Sequence, residues 1–309
     1  MTVADLTPID LSLVDRDLDA AADAFGDAFG RTGFAVVSAH GISDAVIDRA
    51  LTATRAVFAL PDAVKRDYIV PGGAGQRGLT PFGVEVAKGA ARSDLKEFWH
   101  VGRELPPGDP LRATMPDNVW PEAVPVFRPA VTALFAALDA AGGRVLRAVA
   151  RHLHLADDFF AAPTHDGNSI LRLLHYPPVE GTPAAVRAAA HEDINVITLL
   201  LGADEAGLQL LDRQGRWRAV DAPPGTVVCN IGDMLARLTN DVLPSTSHRV
   251  VNPATDRARH ARYSTPFFLH FRPDYVIAPL PGCGDPADAA PPITADAFLR
   301  QRLREIGLA

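Results

Sequence analysis

Hydrophobic and polar residues follow two different periods along this chain, and the change falls near residue 169. Before it, apolar residues recur at helical spacing over 16–31, 43–58 and 130–156. After it, short apolar runs alternate with turn residues, which is typical of β-strands. The pattern therefore predicts a helix-rich first half and a β-rich second half.

Capping and chain-breaking residues refine this picture. Ser43 is a plausible N-cap for the second helix. Glycines and prolines in 71–83 predict a mobile loop, and the seven prolines of 104–129 predict an extended surface segment. The pair Gly142-Gly143 is an expected weak point in the third helix. The remaining predicted elements are a strand at 8–11, a strand at 34–38 and a closing helix at 294–306.

These elements predict an α+β fold with a mainly β core. A distorted double-stranded β-helix, or jelly roll, accounts for the many short strands of the second half. We expect a helix-rich region at 1–168 packed on the core, the jelly roll at 169–285, and a C-terminal helix within 286–309. A chain of 309 residues can bury a large core, and we expect these parts to form one compact unit.

Charge and cysteine content narrow the function classes. The formal net charge is −7 and no basic run occurs, which argues against nucleic acid as a partner. We find no apolar stretch of membrane-spanning length and no secretory signal pattern. The two cysteines, Cys229 and Cys283, cannot form a disulfide framework by themselves, so a cytoplasmic location is expected. The sequence leaves the oligomeric state open.

A candidate metal site stands in the β-rich half. His191, Glu192 and Asp193 open an apolar run, and His248 opens a later one. If 191–200 is a strand, His191 and Asp193 point to one side and Glu192 to the other. Asp193 is therefore the preferred carboxylate. Two histidines and one carboxylate can bind one face of a ferrous ion and leave the opposite face open.

A candidate carboxylate-binding pair follows on a further predicted strand. Arg262 and Ser264 are two residues apart and share a face. A guanidinium can hold a carboxylate through two parallel hydrogen bonds, and a serine hydroxyl adds a third donor. Together with the metal site, this pair indicates an oxygen-activating non-haem iron enzyme.

The chain resembles the isopenicillin N synthase-like branch of the iron(II)/2-oxoglutarate-dependent dioxygenases over nearly its whole length. The segments that carry the resemblance occur in family order: 33–42, 58–65, Asp94-Leu-Lys96-Glu97-Phe98, Leu174-His175-Tyr176-Pro177-Pro178, the metal motif, Gly207-Leu208-Gln209, Asn230-x-Gly232-Asp233 and Arg262-Tyr263-Ser264-x-Pro266-Phe267-Phe268.

The resemblance implies roles for the candidate residues. His191, Asp193 and His248 would be the iron ligands, and Arg262, Ser264 and Tyr176 would bind the 2-oxoglutarate carboxylate. The cofactors implied are Fe(II), with 2-oxoglutarate and O2 as co-substrates. The turn before Arg262 is longer than in plant-type relatives, and it adds the rival carboxylate binders Arg257 and Arg259.

Residues for a small-molecule substrate are harder to assign. Phe268 and His270 share the strand face of Arg262, although His270 has the alternative of a buried, hydrogen-bonded core histidine. Arg77 and Phe82 lie in the glycine-rich loop, where Arg77 could pair with an acidic substrate or be a solvated surface arginine. The remaining expectations are that Trp99 and His100 reach the pocket and that Lys96 and Glu97 form a structural ion pair.

The sequence is consistent with three functions. The first is a 2-oxoglutarate-dependent dioxygenase that hydroxylates or desaturates a small molecule and releases succinate and CO2. The second is an oxidase similar to isopenicillin N synthase, or an ethylene-forming type of enzyme, without ordinary 2-oxoglutarate-coupled hydroxylation. The third is a jelly-roll binding or sensor protein whose metal is structural or absent. The open coordination face favours the first two.

Overall fold

The computed structural model of the chain places eight α-helices within the residues that it describes. Those residues are 3–85, 93–178, 187–201, 207–252, 260–285, 287 and 289–305. The helices are α1 Leu13–Arg16, α2 Leu18–Thr32, α3 Asp44–Phe58, α4 Asp62–Arg66, α5 Phe127–His152, α6 Ala161–Thr164, α7 Asp233–Leu238 and α8 Ala295–Glu305.

Fifteen β-strands fill the remainder of the described fold, most of them after residue 169. The strands are β1 Ile9–Asp10, β2 Phe34–Ser38, β3 Gly78–Thr80, β4 Glu97–Gly102, β5 Ile170–Tyr176, β6 Ala188–His191, β7 Ile197–Leu201, β8 Leu208–Leu211, β9 Trp217–Ala219, β10 Val227–Ile231, β11 His248–Val250, β12 Arg262–Ser264, β13 Pro266–Leu269, β14 Val276–Ile277 and β15 Ile293–Thr294.

Two sheets form the β core. The major sheet has the order β1-β2-β10-β7-β13-β5-β4-β3, and β12 pairs with β5 beside it. The minor sheet has the order β6-β11-β8-β9. Phe34 and Val228 of the major sheet share a buried apolar cluster with Leu210 of the minor sheet, so side chains from both sheets pack together. This arrangement confirms the predicted jelly roll.

The helix-rich first half agrees with the hydrophobic periodicity. Gly33 ends α2 in the left-handed region, with φ of 69°. Ser43 occupies the N-cap position of α3, but its side chain makes no capping hydrogen bond. Within the predicted loop at 71–83, residues 78–80 form strand β3, which pairs with β4. The proline-rich segment 104–129 contains a short 3-10 helix and the first turn of α5.

The predicted weak point in α5 is wrong, since α5 runs without a break through Gly142 and Gly143. Gly142 lies against the major sheet, where an added Cβ atom would be 2.5 Å from Leu269 Cδ1 and 3.2 Å from Leu199 Cδ1. Glycine is needed there for close packing of helix on sheet. Nothing lies within 4 Å of a Cβ atom added at Gly143.

These two glycines give a matched prediction for stability. Gly142→Val should lower the free energy of unfolding by about 1–3 kcal/mol, because the added atoms overpack a filled interior. Gly143→Ala should raise it by roughly 0.5–1 kcal/mol, because alanine favours a helix interior and meets no neighbour. Urea unfolding followed by circular dichroism measures both. Equal effects of the two substitutions would contradict the packing role of Gly142.

Helix α5 also corrects the expectation that no segment could cross a membrane. By length and composition alone, its 26 residues are long and apolar enough to cross a membrane. A buried core helix of a globular protein can have the same length and apolar composition. Val131, Leu138 and Val145 of α5 belong to one large buried cluster that also contains residues of α2, α3 and the major sheet. The packing therefore accounts for the apolar composition of α5.

Candidate active site

Three potential metal ligands meet beside the minor sheet. His191 is the last residue of β6, His248 is the first residue of β11, and the two are directly paired across the strands. Asp193 follows two residues after His191. One ligand atom from each of the three side chains lies within 4.8 Å of the other two. The structure thus brings together the three residues that the sequence singled out.

The predicted strand over 191–200 is wrong. Strand β6 ends at His191 and β7 begins at Ile197, and between them the chain passes from the minor sheet to the major sheet. Asp193 therefore lies in an irregular connection. Its position beside His191 comes from the anchoring of this connection and not from the alternation of side chains along a strand.

Hydrogen bonds from three neighbours fix Asp193. The backbone N–H of Asp233 donates to the Asp193 carbonyl oxygen at 2.7 Å. The Thr198 hydroxyl and the Asn230 side-chain amide donate to Asp193 Oδ2 at 2.5 and 2.8 Å. Burial alone would raise the pKa of Asp193, but His248, His191 and these donors lower it. The carboxylate is therefore held ionised and in one orientation.

Both histidines are oriented in the same way. The Nδ1 atom of His191 lies 2.7 Å from the carbonyl oxygen of Ala189, and Nδ1 of His248 lies 3.1 Å from that of Thr246. A carbonyl oxygen only accepts, so these contacts assign the proton to Nδ1 and leave the Nε2 lone pair for a metal. Each Nε2 atom faces Asp193, at 3.9 Å for His191 and 3.8 Å for His248.

The electrostatics suit a cation that is bound by neutral imidazole. Burial, followed by the nearby His248, lowers the pKa of His191 to about 4. Two neutral imidazoles and one ionised carboxylate are the donors that Fe(II) oxygenases use, with positions left open for co-substrates. The residues present therefore fit Fe(II).

The predicted keto-acid residues lie on a neighbouring pair of strands. Arg262 and Ser264 belong to β12, and Arg262 is paired with Tyr176 of β5. All three side chains are buried. The Arg262 guanidinium carbon lies 5.1 Å from the centre of the Tyr176 ring. The rival residues Arg257 and Arg259 lie outside the described residues.

A cavity of about 510 Å³ opens onto the metal site. His191 and Asp193 line one side of it. Residues of the major sheet, with Phe98 of β4 and Arg172 of β5 among them, form another part of its wall. Leu299 of α8 also lines the cavity. The volume suits a small organic molecule placed between the metal ligands and the sheet.

Arg172 is a charged residue of the cavity lining, and sequence reasoning missed it. Its Nε donates to His100 Nε2 at 2.6 Å, and Nη2 lies 3.3 Å from the carboxylate of Glu85. The guanidinium carbon is 4.2 Å from the centre of the Phe98 ring and 5.2 Å from that of Phe268. The spacing of Arg172 and Tyr176 along one strand could have revealed it, because both occupy the same face.

His100 fixes the direction of this contact. Its Nδ1 atom lies 2.5 Å from the carbonyl oxygen of Gly75, so we assign the proton to Nδ1 and the acceptor role to Nε2. Burial, and then the charge of Arg172, lowers the pKa of His100 well below its ordinary value. The neutral ring therefore accepts from Arg172 Nε, and both Nη groups lie beside the Glu85 carboxylate, at 3.3 and 3.5 Å.

The predicted substrate residues separate into two groups. Phe268, Arg77 and His270 line the cavity. Phe82 is not a lining residue and is 49% exposed. Trp99 is fully buried in the apolar core, with its ring centre 5.5 Å from that of Phe127. The prediction for Trp99 is wrong because alternation along β4 turns His100 toward the cavity and Trp99 away from it.

Arg77 and His270 are both buried. Arg77 donates to the backbone carbonyls of Pro116 and Gln76 at 3.0 and 2.7 Å, which excludes a solvated surface arginine. Burial lowers the pKa of Arg77 to about 10. His270 Nδ1 lies 3.0 Å from the Phe268 carbonyl, so His270 is both hydrogen-bonded and part of the cavity wall.

The expected ion pair between Lys96 and Glu97 does not form. Lys96 pairs instead with Glu85 at 2.6 Å and Asp94 at 2.8 Å, and it lines the cavity. Glu97 binds Lys65, and both Lys65–Glu97 oxygen distances are 2.9 Å. Adjacent residues in an extended chain point to opposite faces, so Lys96 and Glu97 cannot readily meet.

Comparisons with known proteins agree with this geometry. Residues 6–123 match the sequence profile of the non-haem dioxygenase in morphine synthesis N-terminal family. Residues 167–271 match that of the 2OG-Fe(II) oxygenase superfamily. A curated relative, the 2-oxoglutarate-dependent dioxygenase citB of Monascus ruber, is 33% identical over 320 aligned positions, which cover 96% of this chain and 94% of the relative.

Solved structures extend the similarity to the whole fold. A 2OG-Fe(II) oxygenase family protein from Caulobacter crescentus is 52% identical, with a TM-score of 0.92, covering 98% of this chain and 100% of that one. Neurospora crassa T7H in complex with alpha-KG and thymine is 28% identical, with a TM-score of 0.85, covering 97% and 96% of the two chains. Both similarities include the jelly roll and the region before it.

Proposed function

The chain belongs to the 2OG-Fe(II) oxygenase superfamily. We propose that its substrate is a compact molecule with a carbonyl or carboxylate group bound by Arg172. The chain is a non-haem Fe(II), 2-oxoglutarate-dependent dioxygenase that oxidises a small molecule, with O2 as the usual co-substrate. The observation that carries the substrate proposal is that Arg172 lines the same cavity as the proposed metal ligands His191 and Asp193.

The proposed roles at the metal follow from the oriented side chains. His191, Asp193 and His248 would hold Fe(II). When bound, iron and 2-oxoglutarate would activate O2 for oxidation of an unactivated C–H bond; 2-oxoglutarate would be oxidised to succinate and CO2 while the substrate is oxidised. The protein's part is to hold the Nε2 lone pairs and the Asp193 carboxylate toward one point, and to keep the site enclosed.

The proposed 2-oxoglutarate site uses the neighbouring strands. Arg262 and Ser264 lie on one face of β12, and Tyr176 lies beside Arg262 on β5. A guanidinium, a hydroxyl and a phenol can all donate to a carboxylate. Their burial strengthens each of these interactions relative to water. We therefore assign the distal carboxylate of 2-oxoglutarate to these three residues.

The substrate proposal depends on how Arg172 is held. Its Nε donates to His100, and among the described residues its Nη atoms pair with the Glu85 carboxylate, at 3.3 and 3.5 Å. The guanidinium also lies over Phe98 and Phe268. Such an arginine presents donors in a fixed direction beside apolar surface. A planar carbonyl group or a carboxylate is the complementary ligand.

The similarity to the Neurospora crassa T7H structures supports a compact substrate. One Neurospora crassa T7H structure contains thymine, a small ring that bears two carbonyl groups. The cavity here, at about 510 Å³, accommodates a molecule of that size beside the metal ligands. Phe268 then forms an apolar wall against which a ring could lie.

Arg172→Met tests the substrate proposal. We expect kcat/KM for the substrate to fall by roughly 10–100-fold, because one or two charged hydrogen bonds are lost. The affinity for 2-oxoglutarate should stay within about twofold, since Arg172 lies outside its proposed site. The measurement is succinate release across a panel of small metabolites that carry carbonyl or carboxylate groups, followed by kinetics on the best one.

Arg103→Met is the matched control. Arg103 also lies over a phenylalanine, 5.5 Å from the Phe135 ring centre, but it pairs with Asp139 and does not line the cavity. It should retain kcat/KM. Unchanged kcat/KM in Arg172→Met, or a preferred substrate without a hydrogen-bond acceptor, would overturn the substrate proposal.

We also propose a cytoplasmic location and no nucleic-acid partner. Cys229 and Cys283 form no disulfide. Burial raises the pKa of the Cys229 thiol, so this cysteine is a protected core residue. The net charge of −7 supports the second proposal. Cell fractionation with an antibody to the native protein tests the location, and recovery in an exported fraction would contradict it.

A further inference from the structure

We propose that three outward-facing residues of the major sheet, Glu97, His175 and Tyr263, position Arg262 and Ser264 for the keto acid from behind the sheet. We call these three residues the support row. The proposal rests on the role assigned above to Arg262 and Ser264. None of the three is a catalytic residue in this proposal; each acts through the strands that carry the binding residues.

The support row crosses three adjacent strands. Glu97 of β4 is paired with His175 of β5, and His175 is paired with Tyr263 of β12. His175 Nδ1 lies 2.7 Å from Glu97 Oε1. The rings of His175 and Tyr263 are stacked, with centres 4.9 Å apart and planes 15° apart. The row is therefore continuous from β4 to the strand that carries the proposed binding residues.

Alternation places the binding residues on the other side of the same strands. Tyr263 stands between Arg262 and Ser264, and His175 precedes Tyr176. Since successive side chains point to opposite faces, a movement of Tyr263 displaces Arg262 and Ser264 together. The support row and the keto-acid residues thus share a backbone but not a face.

Helices of the first half fasten the support row. The Lys65 ammonium of α4 donates to both oxygens of Glu97, at 2.9 Å each. The Phe58 ring at the end of α3 lies 5.2 Å from the His175 ring and 6.4 Å from the Tyr263 ring. The Arg55 guanidinium of α3 lies 5.5 Å from the Tyr263 ring centre. Residues of two helices therefore hold the row in place.

Strand β12 depends on such support more than an interior strand does. Its three residues pair with β5, and the described part of the chain shows no second partner strand for it. Among the described residues, no backbone ladder fixes its other side. Small displacements of a binding group weaken binding sharply, because hydrogen bonds depend on distance and angle. Side-chain packing behind β12 adds a constraint on its position.

The charge of Glu97 is integral to this constraint. Glu97 and Lys65 are each about 5% exposed, and neither is exposed enough for water to replace its partner. Burial opposes ionisation of Glu97, but hydrogen bonds from His175 and Lys65 lower its pKa overall. Glu97→Gln would remove the charge and leave Lys65 with Asp62, at 3.1 Å, as its remaining carboxylate. The contact with His175 should then loosen.

Two variants test the support row in the full-length, iron-loaded protein. We expect Glu97→Gln and Tyr263→Leu each to raise the Kd for 2-oxoglutarate roughly tenfold, the equivalent of weakening one charged hydrogen bond. The kcat at saturating 2-oxoglutarate and the Kd for iron should remain within about twofold. Anaerobic optical titration gives the Kd, and succinate release gives kcat. A purely structural role would instead reduce kcat, iron content and 2-oxoglutarate affinity together.

Asp139→Asn supplies the matched control. Asp139 of α5 pairs with Arg103, which directly follows β4, so its loss removes a partly buried ion pair beside the same sheet without touching β12. Its Kd for 2-oxoglutarate should equal that of the wild type. Tyr263→Leu is the safer variant for folding, because Tyr263 is only partly buried.

The outcomes separate this inference from the function on which it rests. Wild-type Kd values in both support-row variants, with Arg262→Ala strongly impaired, would overturn the support row alone. An unimpaired Arg262→Ala would overturn the proposed keto-acid site first. A raised Kd in Glu97→Gln and Tyr263→Leu, with wild-type kcat and an unaffected Asp139→Asn, would establish the support row.

Discussion

Replacing Asp193 with alanine is expected to remove iron binding and turnover together. Asp193 supplies the one carboxylate of the ligand group, and its oxygens lie 3.9 and 3.8 Å from Nε2 of His191 and His248. Without it, two neutral imidazoles would face a dication with no neighbouring negative charge. Residues that merely orient a ligand contribute about 10–100-fold to affinity or activity, so loss of a ligand should exceed that range.

Glu192→Ala is the control for Asp193→Ala. Glu192 is the adjacent carboxylate and is exposed, so the two variants differ in which carboxylate is removed. We expect iron content near that of the wild type in Glu192→Ala and near zero in Asp193→Ala. Metal analysis after desalting and succinate release measure the two effects. Full turnover by Asp193→Ala would refute the metal assignment.

Thr198→Val tests whether the hydrogen bond that orients Asp193 contributes to iron affinity. Thr198→Val removes the hydroxyl that donates to Asp193 Oδ2 at 2.5 Å while keeping the shape of the side chain. Its effect on iron affinity should fall between those of the control and of Asp193→Ala. This gradation would show that the orientation of the carboxylate, in addition to its presence, sets the affinity.

The sequence singled out three residues that the structure does bring together, but for an incomplete physical reason. Parity along a strand favoured Asp193 over Glu192, yet Asp193 lies in the connection between β6 and β7. What positions it is a set of contacts with Thr198, Asn230 and Asp233. Two of these partners are distant in the sequence, and single-strand periodicity has no access to such contacts.

Local sequence patterns could not predict which side chains of β4 line the cavity. Trp99 and His100 were equivalent candidates in the sequence, and only the pairing of β4 with β5 decides that His100 meets Arg172. A strand buried on both faces offers no hydrophobic alternation from which to read its inner side, and all six residues of β4 are buried. Sheet register, which is a tertiary property, supplies the missing information.

The same limit applies to the first half of the chain. Periodicity predicted α2 and α3 within a few residues, because an amphipathic helix carries its own signal. It did not predict that Phe58 and Lys65 would reach behind the strands of the proposed keto-acid site. That contact joins residues before 66 with residues after 96, so a local pattern cannot indicate it. In the proposed arrangement, helices α3 and α4 therefore support the 2-oxoglutarate site.

Arg262→Ala should weaken 2-oxoglutarate binding more than any other single change outside the metal ligands. The guanidinium can form two parallel hydrogen bonds with a carboxylate in a buried site. Losing two charged hydrogen bonds corresponds to about 3–6 kcal/mol, or roughly a 10²–10⁴-fold rise in Kd. Arg262→Lys should be intermediate, since an ammonium keeps the charge but lacks the planar pair of donors.

Anaerobic titration of the iron-loaded protein with 2-oxoglutarate measures this effect through the weak visible charge-transfer band. Arg272→Ala is the control, because Arg272 is partly exposed and pairs with Asp274 two residues away. The wild type and Arg272→Ala should saturate alike, while Arg262→Ala should require far more 2-oxoglutarate for the same band. Equal titrations would contradict the keto-acid role of Arg262. Substrate oxidation by the wild type with no keto acid present would instead favour the oxidase reaction of isopenicillin N synthase-like enzymes.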